Sequence, residues 1–223
     1  MQTSKHQLLT LLKRTGSLTV EEAAGALAVA SMTARQHLVG LERDGLVQAE
    51  KVRRHTGRPH YLYLLTPKGD ETFPRRYDLL AQILLEEAGL LTSAEIDGLE
   101  PDDKRSLLIQ RAADRLAASF SHQVSGHTLE QRVAAVADVL HLIGGFAEWL
   151  PTDEGYEIRD YNCVFARLVP AEQSDCQWHV RLITQLLNWP VRHELFVNGR
   201  ATCCRYVVTP QPSPEHQRLM LNA

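Results

Sequence analysis

The residues of this 223-residue chain best suited to chemistry are its four cysteines, Cys163, Cys176, Cys203 and Cys204. Thiolates bind soft metals and iron–sulfur clusters, exchange disulfides, or act as nucleophiles. All four lie beyond residue 160 without CxxC spacing, which fits neither a compact zinc finger nor a disulfide framework. Each falls at the edge of an expected element: a loop after a strand, a helix start, a returning strand. Such points can converge in space although they are distant in sequence. Neighbours on a strand point to opposite faces, so Cys203 and Cys204 are not expected to bind one iron together unless the strand bulges. Three well-placed thiolates then remain for a cluster that normally takes four ligands. The competing reading is that these are small buried hydrophobes. Cys176 and His179 also share a helix face at i, i+3, as a nucleophile and base would. No oxyanion-hole motif, Gly-rich loop or orienting carboxylate accompanies them, so an enzyme is not expected.

A second chemistry, recognition of a polyanion, is written between Ser31 and Gly69. Ala34, Leu38 and Leu41 recur at i, i+4, i+7, which marks a helix with one apolar face. Ser31 suits its N-cap and Gly45 its end. The other face carries Thr33, Arg35 and Gln36, side chains able to bond base edges or phosphates. Two strand-like runs follow, Leu46–Val52 and His60–Thr66, joined by a basic turn that holds Arg53, Arg54 and Arg58. Helix, hairpin and cationic tip in this order are the plan of a winged helix-turn-helix. The expected DNA contacts are Ser31, Thr33, Arg35 and Gln36 on the helix, with Arg53, Arg54 and Arg58 on the wing.

Charge agrees with that division. Residues 1–76 hold 12 Lys+Arg against 7 Asp+Glu, whereas residues 77–223 hold 12 against 20. A basic front and an acidic back imply that only the front meets double-stranded DNA. Apolar content of 44% and charged content of 23% are ordinary for a globular protein. No apolar run approaches the ~20 residues that span a bilayer, and the N-terminus, broken by Lys5, His6, Lys13 and Arg14, does not resemble a signal peptide. A cytoplasmic protein without a membrane partner is expected.

The elements that position these residues follow from periodicity. A short helix over Lys5–Lys13 precedes a capping box, Thr19 with Glu22, which opens the positioning helix. Beyond the wing, apolar helices are expected over Asp78–Ala88, Asp102–Ser119 and Leu129–Leu142. Strands Phe146–Leu150 and Tyr156–Tyr161 flank a turn at Pro151–Gly155. A helix over Asp175–Asn188 precedes a hairpin, Val191–Val197 with Cys204–Thr209. The fold class is mainly α with α+β parts. The organisation is a winged helix-turn-helix over 1–76, a helical dimerisation region over 77–144, a small α+β cysteine-containing sensor domain over 145–210, and a tail over 211–223.

With these residues in place the chain resembles the SufR-type repressors, winged-helix regulators of iron–sulfur cluster assembly operons. The likeness is carried by Gly57-Arg58-Pro59 with Tyr63, by Leu65-Thr66-Pro67-Lys68-Gly69, and by Phe73-Pro74-Arg75-Arg76-Tyr77. It continues in Glu148-Trp149, Asn162-Cys163, Cys176 and Cys204-x-Tyr206. The resemblance implies a homodimer that binds a [4Fe–4S] cluster through Cys163, Cys176 and Cys204 and represses the suf operon when loaded. The family's further cysteine, some fourteen residues before the closing one, falls here near Trp189-Pro190. The fourth place is therefore open to Cys203, His179, His193, an acidic residue or a small thiol. A [2Fe–2S] cluster, Zn²⁺ or thiol oxidation at the same cysteines are the alternatives.

Overall fold

The computed structural model describes residues 4–52, 60–165, 176–198 and 200–210. By contact the chain divides into two units, Met1–Pro74 with Phe196–Cys203, and Arg75–Leu195 with Cys204–Ala223.

In the first unit, helix α1 (Ser4–Thr15) buries Leu8, Leu9 and Leu12, and α2 (Val20–Leu27) buries Val20, Ala23 and Ala24. The capping box ahead of α2 is formed. Glu22 N donates to Thr19 Oγ1 at 3.1 Å, and Thr19 N donates to the Glu22 carboxylate at 2.7 Å. Helix α3 (Ser31–Arg43) buries Ala34, Leu38 and Leu41, the face its spacing required. Its start differs from expectation. Ser31 is the first helical residue, and Ala30 occupies the cap without a side-chain bond. The turn out of α2 passes through Ala28 at φ +53, and the chain reaches helical geometry one residue sooner than a Ser31 cap needs. At the other end Gly45, at φ +73, takes the left-handed position beyond the helix. Leu46 N then donates back to Leu41 O at 2.9 Å, closing a Schellman turn.

Strands β1 (Val47–Val52) and β2 (His60–Leu65) pair antiparallel from Val47↔Leu65 to Val52↔His60. Leu18 pairs with β2 as a third segment, exchanging backbone bonds of 3.0 and 2.8 Å with Tyr63. The basic tip with Arg53, Arg54 and Arg58 lies outside the described residues. Thr66 ties off the hairpin: its Oγ1 donates to Gly45 O at 2.7 Å and accepts from Gly69 N at 3.0 Å. It thereby caps a one-turn helix, α4 (Pro67–Asp70), with Pro67 at the first position.

The second unit opens with α5 (Tyr77–Gly89), α6 (Ser93–Ile96), α7 (Pro101–Phe120) and α8 (Leu129–Leu142). It continues through β3 (Ala147–Thr152), β4 (Gly155–Asp160), α9 (Gln177–Leu187), β5 (Arg192–Asn198) and β6 (Ala201–Val208), whose residues 196–203 are counted with the first unit. The sheet order is β3-β4-β6-β5. Pro151 lies within β3, so the expected turn shrinks to residues 153–154. That is permitted because β3 is an edge strand.

One core joins Leu80, Ala112, Leu116, Val136, Leu140, Ile158, Leu182, Ile183 and Tyr206. The helices of 77–144 therefore pack with the sheet and α9 of 145–208 instead of standing apart. Ala112 and Ala113, both fully buried, let α9 approach α7 closely, and Arg181 grips Asp114 through two bonds of 2.7 and 2.8 Å.

Glu87 is a buried anion on α5, 5% exposed. Arg111 Nε donates to it at 2.7 Å, and Arg115 Nε donates to its other oxygen. Arg115 first, and Arg111 with it, hold its carboxyl below the ordinary value of 4.5 against the opposing effect of burial. Its contribution to stability is then fully present at neutral pH and is lost as pH falls through the depressed folded value. Urea unfolding at stepped pH should show an acid-side loss of stability that Glu87→Gln diminishes. An unchanged acid limb in that variant would remove Glu87 from the explanation.

Candidate nucleic-acid interface and cysteine site

Helix α3 presents Ser31, Arg35 and Gln36 to solvent, with Thr33 half-buried. Two further residues share that surface and were not singled out from the sequence: Met32 is 67% and Val39 50% exposed. Together with Arg35, Gln36, Gly40 and Arg43 they line a shallow concavity along the helix. The signal was available, since both lie off the face defined by Ala34, Leu38 and Leu41. Two buried anchors hold the helix: Leu38 is 0% and Leu41 1% exposed. At its C-terminal end Lys5 Nζ bonds Asp44 at 2.8 Å and Lys68 Nζ reaches Asp44 O at 2.8 Å, placing cations where the helix dipole is negative.

In the second unit three cysteines come from different elements. Cys163 follows β4 and a short loop, Cys176 is the N-cap residue of α9, and Cys204 lies on β6 opposite Asp160 of β4. Cys203, the neighbour on β6, is buried and is counted with the first unit.

The Cys163 loop is pinned by polar bonds. Asn162, fully buried, donates from Nδ2 to Gly144 O at 2.8 Å and accepts from Arg75 Nη1 at 2.5 Å. Arg75 also reaches Cys163 O at 3.4 Å, while Arg76 N donates to Val164 O at 3.3 Å. Asp160 Oδ1 accepts from Phe146 N at 2.8 Å and Asn162 N at 3.0 Å. A Cβ on Gly145 would lie 2.7 Å from Leu140 O and 3.2 Å from the Asp160 carboxylate. That residue must stay small for the turn to close.

The thiols feel one another. Burial, then the charge of Cys176, pushes Cys163 up to about 12; the same two causes push Cys204 up to about 12. Burial also raises Cys176, partly offset by the His179 backbone N–H at the start of α9 and by the Tyr206 hydroxyl. Tyr206 is fully buried, without a hydrogen bond of ordinary geometry at Oη, and the same hydroxyl eases Cys204. His179 Nδ1 stands 3.1 Å from Cys176 Sγ. Burial lowers the imidazole to about 4. A raised thiol beside an uncharged imidazole is the reverse of the thiolate–imidazolium pair that a cysteine nucleophile needs.

Of the residues expected to carry chemistry, Cys163, Cys176 and Cys204 come near enough for each to raise another's thiol, and Cys203 is buried on the neighbouring position of β6. The supporting residues Asp160, Asn162, Arg75 and Tyr206 had no role assigned from the sequence. Arg75, Asn162 and Tyr206 stood in the motifs, whereas Asp160 becomes visible only once the β4–β6 register is known.

Among the described residues no helix is long and apolar enough to cross a membrane. Comparison with curated proteins and with solved structures finds no match. Residues 5–58 match the model of the DeoR-like helix-turn-helix domain, the span that here folds as α1, α2, α3 and the start of the hairpin. The N-terminal unit is thus a helix-turn-helix DNA-binding domain, the mark of a transcriptional regulator.

Proposed function

We propose that this protein is a homodimeric transcriptional repressor that senses an iron–sulfur cluster and controls cluster-assembly genes. The observation that supports it most is that Cys163, Cys176 and Cys204, brought from a loop, a helix start and a strand, raise one another's thiols in a chain that also carries a DNA-reading helix. Among the described residues, no three His, Cys, Asp or Glu side chains stand close enough to hold a single metal ion. Ligands of a cluster bind different irons and so stand further apart, which favours a [4Fe–4S] centre over Zn²⁺ at these thiols. The cluster would supply cross-linking of the Cys163 loop, the start of α9 and strand β6. Arg75, Asn162 and Asp160 orient the loop; Tyr206 and the core around it exclude water.

In this reading the loaded dimer binds an inverted repeat, and loss of the cluster weakens binding. DNA must then stabilise the loaded form by the same coupling free energy. Protein purified without oxygen should be brown and lose both colour and operator affinity in air. A colourless protein with stoichiometric zinc would favour the zinc alternative, and operator binding indifferent to every cysteine would leave a plain DNA-binding protein.

At the DNA, Arg35 reads bases, Met32 and Val39 offer apolar contact to thymine methyls, and Ser31, Thr33 and Gln36 set register. Wing residues Arg53, Arg54 and Arg58 reach phosphate or the minor groove. Arg35→Ala should cost roughly 1–3 kcal/mol and relax preference at one base pair. A dimer that neutralises about 8 phosphates should show a slope of log K on log[salt] of roughly −7. Titration of operator and random duplex with the variant decides it: equal weakening of both would make Arg35 a backbone contact.

A further inference from the structure

The wing is expected to meet DNA through its basic tip, and the strands below that tip carry a second cationic surface. Side chains alternate along a strand, so Val47, Ala49 and Lys51 of β1 share one face with their partners Leu65, Tyr63 and Tyr61 of β2. One end of that face is core: Val47 is 2% and Tyr63 5% exposed. The other end emerges as the rung Lys51↔Tyr61, with Lys51 exposed and Tyr61 46% exposed. Burial and then the charge of Glu42 raise the Tyr63 phenol, while Arg35 opposes them and Tyr61 adds to them. Arg35 of α3 and Tyr61 of β2 therefore lie on the side of the hairpin that Tyr63 faces.

We propose that Lys51 and Tyr61 together bind one phosphate of the DNA backbone beside the groove that α3 enters, an inference that rests on α3 being the DNA-reading helix. Directly opposed residues of an antiparallel pair carry their Cβ atoms about 4.5–5.5 Å apart, close enough for the two side chains to converge on one phosphate. Lys51 supplies the charge, the Tyr61 hydroxyl donates a hydrogen bond, and the ring packs on the adjoining deoxyribose. Among the described residues no carboxylate pairs with Lys51 and no hydrogen bond engages the Tyr61 hydroxyl, so both reach DNA uncommitted. The opposite face of the hairpin is already occupied. There Glu50 accepts from Arg200, counted with the same unit, through Nη1 and, at 3.2 Å, through Nη2. Its carboxylate would also repel a phosphate on that side.

The test uses the full chain and two duplexes: one selected by the wild-type protein from a random-sequence pool, and an unselected one of the same length. Lys51→Gln should weaken binding to both alike and make the slope of log K on log[salt] shallower by roughly 1 per bound chain. Tyr61→Phe keeps the ring and should weaken binding to both about tenfold, with the slope unchanged. Gln48→Glu is the control. It makes the same change of charge on the same strand, at an exposed position of the opposite face, and should leave affinity and slope at the wild-type values. Ethylation of single phosphates should find one per half-site whose modification weakens the wild type and leaves Lys51→Gln indifferent. Wild-type affinity and slope in Lys51→Gln, or wild-type affinity in Tyr61→Phe, overturns the shared phosphate site while leaving α3 as the reading helix. Loss confined to the selected duplex in Tyr61→Phe overturns it as well, because Tyr61 would then read a base. So does equal weakening by Gln48→Glu, since net charge and not this face would govern binding. A wild-type protein that enriches no duplex and binds none overturns the role of α3 and the phosphate site together.

Discussion

Serine at Cys163, Cys176 or Cys204 is expected to abolish the visible chromophore and cluster-dependent operator binding, whereas serine at Cys203 should leave both. The asymmetry comes from β6. Cys204 pairs across the ladder with Asp160, and its thiol is raised by burial and by the charges of Cys176 and Cys163. Cys203 is also buried, at 4% exposure, but on the alternate face of the strand. A serine hydroxyl is a poor ligand for iron and does not replace a thiolate there. At Cys203 the same change only places a hydroxyl at a buried position, at a cost of about 1–3 kcal/mol if it finds no partner. Iron counting after anaerobic reconstitution, with an operator shift assay on the same samples, separates the four variants. Full cluster content in Cys204→Ser with none in Cys203→Ser would reverse the choice between neighbours. Full content in all four would sink the cluster site.

How much of this could be read from the residues depends on the range of the interaction that decides each point. Helix α3 declared itself through Ala34, Leu38 and Leu41, and α8 through Val133, Val136, Ala137 and Leu140, because a 3.6-residue period is local. The capping box at Thr19 and Glu22 was legible for the same reason, and so was Gly45 as a helix end. Ser31 misled, because whether a serine caps a helix depends on the turn before it. That turn is set by Ala28 in the left-handed region, a conformation its side chain does not advertise. Thr92 with Glu95 formed a capping box for α6 that went unread, since four helical residues leave no period to notice.

The residues around the cysteines were less legible than the cysteines themselves. Alternation along β6 groups Cys204 with Tyr206 from sequence parity alone. That Asp160 faces Cys204 follows from the β4–β6 register, fixed by packing of the whole sheet. Arg75 meets Asn162 across 87 positions of sequence, a separation no local pattern bridges. The same limit explains why 77–144 read as a separate helical region. An apolar stripe announces that it will be covered, and the sheet and α9 that cover it come from residues well beyond it.

Gly69→Ala should destabilise the first unit by about 3 kcal/mol and remove operator binding with it. Gly69 stands in α4, in the motif Leu65-Thr66-Pro67-Lys68-Gly69, and is buried. A Cβ there would lie 2.0 Å from Leu46 O and 3.0 Å from Leu46 C. Both are backbone atoms at the junction of α3 and β1, so no flexible side chain can swing away. Leu46 cannot retreat freely either, because its N–H closes the end of α3 on Leu41 O at 2.9 Å and its carbonyl accepts from Thr66 N at 3.1 Å. The added methyl must therefore push apart the hairpin base and the helix that meets DNA. Gly25 supplies the control. It is an exposed α2 residue, and a Cβ there meets nothing within 4 Å. Gly25→Ala should stabilise the same unit by about 0.5–1 kcal/mol, through the lower entropy of its unfolded chain. Urea denaturation of both variants, followed beside operator binding, makes the comparison. A Gly69→Ala protein as stable as the wild type would mean that α4 can move away from Leu46, and that the hairpin base does not fix the attitude of α3.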